Sequence, residues 1–188
     1  MEILLRLRHW QLFILLFLVP YLITYLISPS ETEDSMHSDM LWVLVLKWIL
    51  ILLFSLSWLY SAVVNLHRQL PEHTKMPLLT FKINFFIYTI AFIGMLSIML
   101  FVNFQGRGGS MNLPAAMLLF FLCLPFICSL IYTLVFFARL LKTVELQRPV
   151  TFGEYALNFI LLLYMPVGVW FIQPQLNRLC FREEDSVL

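Results

Sequence analysis

The sequence predicts an all-α, polytopic membrane helix bundle, and three observations support that fold class. Of its 188 residues, 61% are hydrophobic and only 12% are charged, a composition that a soluble domain does not have. Four apolar stretches each have enough residues to cross roughly 30 Å of hydrocarbon. A fifth apolar stretch near the carboxyl end contains Pro166 and Gly168. Because backbone groups in lipid must bond within their own segment, we expect every stretch to be helical.

The four clear spans are predicted from their length and lack of charge. They cover residues 10–28, 40–64, 82–104 and 113–138. Lys47 is the only formal charge within their interiors. The first stretch follows Arg6 and Arg8, as a signal peptide would, but it is longer than a usual signal core and ends without a small-x-small cleavage site. We therefore predict a signal anchor and a single integral membrane domain over residues 1–188.

Positive charge in alternate loops predicts the orientation of the bundle. These charges are Arg6, Arg8, Arg68, Lys75, Lys82, Arg139, Lys142 and Arg148. Since Lys and Arg favour the cytoplasmic side, the loops 65–81 and 139–151 and the amino terminus are predicted to be cytoplasmic. The loop 29–39 is acidic and lacks Lys and Arg, so it is predicted to be external.

Aromatic residues near the ends of the spans predict anchoring at the membrane surface. They are Trp10, Tyr21, Tyr25, Trp42, Trp58 and Tyr60. Amphipathic rings suit the headgroup region, and the bilayer itself is therefore the first predicted partner.

The fifth segment begins at a predicted capping box, in which Thr151 and Glu154 bond to each other and a helix starts at Phe152. Residues 152–172 would extend about 31 Å as one helix, enough to cross, although Pro166 and Gly168 interrupt them. We favour a kinked full span with the carboxyl terminus outside.

In that interpretation, Trp170 is an interfacial anchor, the dipeptide at Gln173 is a polar stop, and residues 173–188 form a short tail. The alternative is a re-entrant half-helix with the terminus inside. Arg178 and Arg182 favour the alternative, because a positive tail prefers the cytoplasm.

Several polar residues within or beside the spans are candidates for a structural or functional role. Lys47 would either snorkel towards Asp39 or Glu33 or face the bundle interior and bind an anionic group. The amides of Asn84, Asn158 and Gln173 are predicted to hold helices together. The interruption at Pro166 and Gly168 is the best single place to look for a site.

The chain lacks the residue patterns of the common catalytic and metal sites. No HExxH motif, aspartate cluster or paired acid lies within the spans, so we predict no catalytic residue and no cofactor. His67 and His73 lie six residues apart with Pro71 between them, which is not a helical ligand pair, so no metal site is predicted. No basic surface is rich enough for nucleic acid.

Two terminal segments carry a resemblance to a known set of proteins. They are the start, LRHWQLFILLFLVPYL, and the end, MPVGVWFIQPQLNRL, together with VELQRPVTFGEY. These stretches are similar to small uncharacterised multi-span proteins of bacteria, especially Bacteroidota. In that set an HWQLF-like start and a PxGxWxIQPxxN-like end recur. The resemblance covers about a quarter of the chain. It implies an inner (plasma) membrane location and no particular activity.

The functional expectation rests on these absences. We predict a non-enzymatic accessory or assembly component that packs with a membrane-protein partner or with copies of itself. The alternative is a small oligomeric transport or permeation component with a polar path near Lys47. A membrane-embedded enzyme acting on lipid is the third hypothesis and the least supported.

Overall fold

The computed structural model describes residues 7–27, 36–71, 74, 76–105 and 113–180, and it contains six helices and no strand within these ranges. The helices are α1 (His9–Ile27), α2 (Met36–Arg68), α3 (Leu78–Gln105), α4 (Leu113–Leu146), α5 (Phe152–Leu163) and α6 (Met165–Cys180). By length and composition, α1 to α4 can each cross a membrane. The predicted all-α bundle is confirmed, and the described residues of each of the four clear spans lie within one helix. Residue 28, the last of the first predicted span, lies outside the described residues.

Some predicted loops are shorter than the sequence suggested. Helix α2 begins at Met36 and continues to Arg68, and α4 continues to Leu146, because a helix does not have to end where the hydrocarbon ends. Of the acidic loop 29–39, residues 29–35 lie outside the described residues, as does the tail from residue 181, which includes Arg182.

Helix α1 contains a π-helical segment at Ile14–Leu18, immediately before Pro20. Proline has no N–H, and its ring would collide with the carbonyl four residues earlier, that of Leu16, in a regular helix. The wider π-helical turn relieves this conflict. One turn later, the Thr24 hydroxyl donates to the Pro20 carbonyl at 2.9 Å, so α1 continues to Ile27.

The chain divides into two compact units, which we call the terminal unit (Met1–Met76 with Phe137–Leu188) and the central unit (Pro77–Phe136). In the central unit, α3 and the first part of α4 pack with opposite directions. The ring of Phe81 stacks on that of Phe136 with centroids 5.1 Å apart, and Tyr88 stacks on Phe126 at the same distance. As residue numbers rise along α3, those of its neighbours on α4 fall.

Residues 152–172 do not form the single kinked helix that the favoured full span required. Helix α5 begins at Phe152, as predicted, but ends at Leu163. Tyr164 leaves the helical conformation, with φ −94° and ψ 61°. Pro166 then lies in the first turn of α6, where a helical N–H would have no partner, so proline fits without loss. Pro166 therefore starts a new helix rather than kinking an existing one.

Gly168 lies directly against the end of α5. A Cβ atom added at Gly168 would lie 1.9 Å from the carbonyl oxygen of Leu161, seven residues earlier. Seven residues along a straight helix are about 10 Å apart, so the chain turns sharply between the two helices. The predicted polar stop at Gln173 does not end the helix, because α6 includes Pro174 and continues to Cys180.

Helix α6 packs along the first turns of α1 in the opposite direction. The Trp170 ring lies 5.8 Å from that of Phe13, whereas Asn177, nearer the end of α6, bonds to Leu7, just before α1. The carboxyl end of α6 and the amino end of α1 are consequently neighbours.

Candidate functional site

Gln173 is a polar side chain of the terminal unit that is completely buried and bonds to three other residues. Its side-chain carbonyl accepts a hydrogen bond of 2.9 Å from the indole Nε1 of Trp58 on α2. Its amide nitrogen donates to the backbone carbonyl of Leu7 at 3.0 Å and to the side-chain carbonyl of Asn177 at 3.2 Å. We call Leu7, Trp58, Gln173 and Asn177 the polar junction.

Two side chains of α6 serve one backbone carbonyl at the junction. The amide nitrogen of Asn177 donates to the Leu7 carbonyl at 3.2 Å, beside the bond from Gln173. Gln173 and Asn177 are four residues apart and therefore lie on the same face of α6. Leu7 precedes α1, and the junction thus holds the chain at the point where α1 begins.

Aromatic rings contact Trp58 of the junction or belong to residues close in sequence to Leu7 and Gln173. The imidazole of His9 and the indole of Trp170 have centroids 4.9 Å apart. The Trp58 ring meets Phe137 edge-on at 5.8 Å. Trp58 was predicted as an interfacial anchor, but it is completely buried and its N–H is bonded to Gln173, so that prediction is wrong.

The groups of the polar junction suit structural contacts between helices rather than a chemical reaction. Its groups are two carboxamides, one indole and one backbone carbonyl, none of which is a nucleophile or changes its protonation state near neutral pH. Each makes a directional hydrogen bond to a different segment of the chain. The junction can therefore fix α1, α2 and α6 to one another.

Lys47 has an aromatic partner in the terminal unit. Its ammonium lies 4.5 Å from the centroid of the Tyr21 ring on α1 and 5.8 Å from that of Trp48. These distances suit cation–π attraction. Glu33, one of its two predicted acidic partners, lies outside the described residues, as does the side chain of Asp39.

Asn84 belongs to the central unit, where it joins α3 to α4. Its amide nitrogen donates to the Ser129 carbonyl at 2.9 Å and to the Thr133 hydroxyl at 3.0 Å. The predicted role of holding helices together fits this geometry.

We expect Asn84→Ala to lower the free energy of unfolding by about 1 kcal/mol, because two interhelical bonds are lost and bonds of this kind are individually modest in membranes. Unfolding of the purified chain in detergent measures the change. Ser97→Ala is a matched control, since the Ser97 hydroxyl donates only within α3, to the Ile93 carbonyl at 2.8 Å. An equal loss in both variants would contradict the assignment.

The six predicted polar or helix-breaking residues lie on four different helices. Pro166, Gly168 and Gln173 all lie on α6. Asn158 is buried on α5, and its amide nitrogen has no hydrogen-bond partner among the described residues. Lys47 lies on α2, and Asn84 is in the other unit. Within the ranges described by the structure, no three His, Cys, Asp or Glu residues are grouped as metal ligands would be.

The amino-terminal end of α5 has the predicted capping box. The Glu154 carboxylate accepts from the Thr151 amide at 2.7 Å and from its hydroxyl at 3.1 Å, and the Arg148 guanidinium pairs with the same carboxylate. The Thr151 amide bond is the largest cause that lowers the pKa of Glu154 below its ordinary value of 4.5, followed by the bond from Arg148.

This lowered pKa predicts how pH affects the stability of the fold at the start of α5. A carboxylate whose pKa is lower in the folded state stabilises the fold above its unfolded pKa, and that contribution disappears as pH falls through the folded pKa. We expect the melting temperature in detergent to fall below about pH 4, with a smaller fall in Glu154→Gln. Arg148→Gln should keep most of the pH dependence, because the Thr151 amide remains. Identical pH profiles for the wild type and Glu154→Gln would contradict this.

Comparison with known proteins finds no match to a family model, a curated protein or a solved structure. The fold therefore defines the class by itself: four helices long and apolar enough to cross a bilayer make this a multi-pass α-helical membrane protein.

Proposed function

We propose that the chain is a non-enzymatic accessory or assembly component of a membrane, which packs with a partner protein or with copies of itself. One observation carries the proposal: three of the polar side chains in the helices have separate partners nearby. Lys47 lies over Tyr21, Asn84 bonds to α4, and Gln173 bonds to Trp58. A polar path would need such groups to face a common space.

The hydrogen bonds of the Ser55 hydroxyl agree with this interpretation. It donates to the carbonyls of Ile51 and Leu52 in its own helix, at 2.6 and 3.1 Å, rather than facing another polar group. Large apolar side chains are exposed on both units. In the central unit, the large apolar side chains of Leu79, Phe120 and Phe121 are the most exposed of those described. Such a surface suits lipid or the helices of another protein.

The location is part of the same proposal. Positive charge lies near one end of each of three helices: Arg8 precedes α1, Arg68 ends α2, and Arg139 and Arg148 lie in the last two turns of α4 or just after it. Positive charge favours the cytoplasm. We therefore place the amino terminus inside the cell. The resemblance of the terminal segments to small bacterial multi-span proteins supports the inner membrane. The same two segments supply Leu7, His9, Trp170 and Gln173, which meet at or beside the polar junction.

The test is the mass of the protein purified in mild detergent, measured by light scattering and native mass spectrometry. We expect a defined complex heavier than one chain of 22.2 kDa, containing either a stoichiometric second protein or several copies. A lone monomer would contradict the proposal. Reconstitution into vesicles distinguishes permeation: solute flux that Lys47→Met abolishes would favour the alternative, a small oligomeric permeation component.

A further inference from the structure

Counting the crossings from the amino terminus shows on which side each helix ends. Each helix that crosses the membrane changes the side on which the chain lies. After four such helices, α1 to α4, the chain returns to the side of Leu7. Helix α5 begins at Phe152, six residues after α4 ends at Leu146. It therefore enters the membrane region from the amino-terminal side.

The end of α6 lies on that same side. The Asn177 amide nitrogen is 3.2 Å from the Leu7 carbonyl, and that of Gln173 is 3.0 Å from it. If α5 and α6 together crossed once, Asn177 would be separated from Leu7 by about 30 Å of hydrocarbon. The pair therefore leaves the membrane on the side where it entered.

The lengths of the two helices agree with an excursion that does not cross. Helix α5 has 12 residues and is about 18 Å long. From Met165 to Asn177, α6 also rises about 18 Å. Each is too short for a whole bilayer but longer than half of one. The turn at Tyr164 would therefore lie near the middle of the bilayer.

The surface of the pair has the pattern of a segment that dips into lipid. Exposed apolar side chains run along both helices and over the turn, namely Leu157, Ile160, Leu163, Tyr164, Val167 and Phe171. Charged side chains lie only at the open end, where Arg148 pairs with Glu154 and Arg178 is exposed. Basic residues at this level suit the phosphates of the headgroups.

The backbone of the turn is compatible with a lipid environment, which tolerates few unpaired polar groups. The Tyr164 carbonyl accepts from the amides of Val167 and Gly168 at 3.0 and 2.8 Å. Pro166 cannot donate to the Leu162 carbonyl, but Leu162 is only 3% exposed and so lies within the protein. The Leu161 carbonyl is covered by Gly168.

We propose that α5 and α6 form a re-entrant hairpin, which inserts into the leaflet on the amino-terminal side and whose exposed apolar face is covered by the acyl chains of that leaflet. The proposal is independent of the accessory function and assigns the carboxyl end of α6 to the side of the amino terminus. It also accounts for Arg178, because a positive residue after a full fifth span would lie on the unfavourable side.

Single-cysteine labelling tests the proposal in the full-length chain, after Cys123, Cys128 and Cys180 are replaced with alanine. Gly153→Cys and Arg178→Cys report the two open ends of the hairpin, and a Cβ at Gly153 meets nothing within 4 Å. Val167→Cys reports the turn, and Ile27→Cys marks the far end of α1. The probe is a membrane-impermeant maleimide, applied to sealed vesicles of both orientations.

We expect Gly153→Cys and Arg178→Cys to react in the same vesicle orientation and Ile27→Cys in the opposite one, with Val167→Cys protected in both. Reaction of Arg178→Cys together with Ile27→Cys would overturn the proposal in favour of a full span. Free reaction of Val167→Cys would place the hairpin outside the bilayer and overturn it too. Reporters fused to each end of the wild-type chain give a second measurement that needs no cysteine replacement, and reporters on opposite sides would also overturn it.

Discussion

Gly168→Ala is expected to destabilise the fold by about 3 kcal/mol, or to prevent the chain from accumulating in the membrane. The added methyl group would lie 1.9 Å from the Leu161 carbonyl oxygen and 2.6 Å from its carbon. Both are backbone atoms, so no side-chain rotation can relieve the overlap. Helix α6 would have to move away from α5, and that movement would disturb the contacts of Gln173 farther along α6.

The matched control is Gly153→Ala, in the same hairpin. A Cβ at Gly153 meets nothing within 4 Å, and alanine has the higher helix propensity, so this variant should be neutral or slightly more stable. The measurement is the free energy of unfolding in detergent together with the amount of protein in the membrane fraction. Equal stability of the two variants would mean that α5 and α6 do not approach each other at Gly168.

The parts of the fold that could be predicted depend on local sequence. A long apolar stretch must become a helix in lipid wherever its neighbours lie, so α1 to α4 followed from their length. The start of α5 followed from Thr151 and Glu154, which are three residues apart and bond directly. Neither prediction required knowledge of tertiary contacts.

The sharp turn after α5 could be located from sequence but not described. Pro166 and Gly168 marked an interruption, but a proline can kink a continuous helix or begin a new one. Which of the two occurs depends on Tyr164, which leaves the helical conformation, and on the close approach of Gly168 to the Leu161 carbonyl. Only the folded backbone brings these residues together. The sequence did contain one pointer to the outcome, namely the positive charge of Arg178 after the segment.

Gln173 was predicted to hold helices together, but its partners at the polar junction were missed because they are far apart in sequence. Trp58 and Gln173 are separated by 115 residues, and Gln173 and Leu7 by 166. Each residue alone resembled an interfacial one, since indoles and amides near span ends commonly meet water. The available signal was the spacing of Gln173 and Asn177, which puts two amides on one face of a helix.

Gln173→Leu is expected to lower the free energy of unfolding by about 2 kcal/mol, because the Trp58 indole N–H loses its acceptor in a buried site. The Leu7 carbonyl keeps the bond from Asn177, which limits the loss. Leucine is close in size to glutamine, so the change removes hydrogen bonds with little change in packing. Unfolding in detergent measures the loss.

A double-mutant cycle with Trp58→Phe isolates the bond between the two side chains. Phenylalanine removes the indole N–H and leaves the Gln173 carbonyl without that donor, so this single variant should also be destabilised. Once Trp58 is gone, replacing Gln173 no longer leaves an unpaired indole N–H. The double variant should therefore lose about 1 kcal/mol less than the sum of the two single losses. Strict additivity would mean that the Trp58 and Gln173 side chains do not stabilise each other.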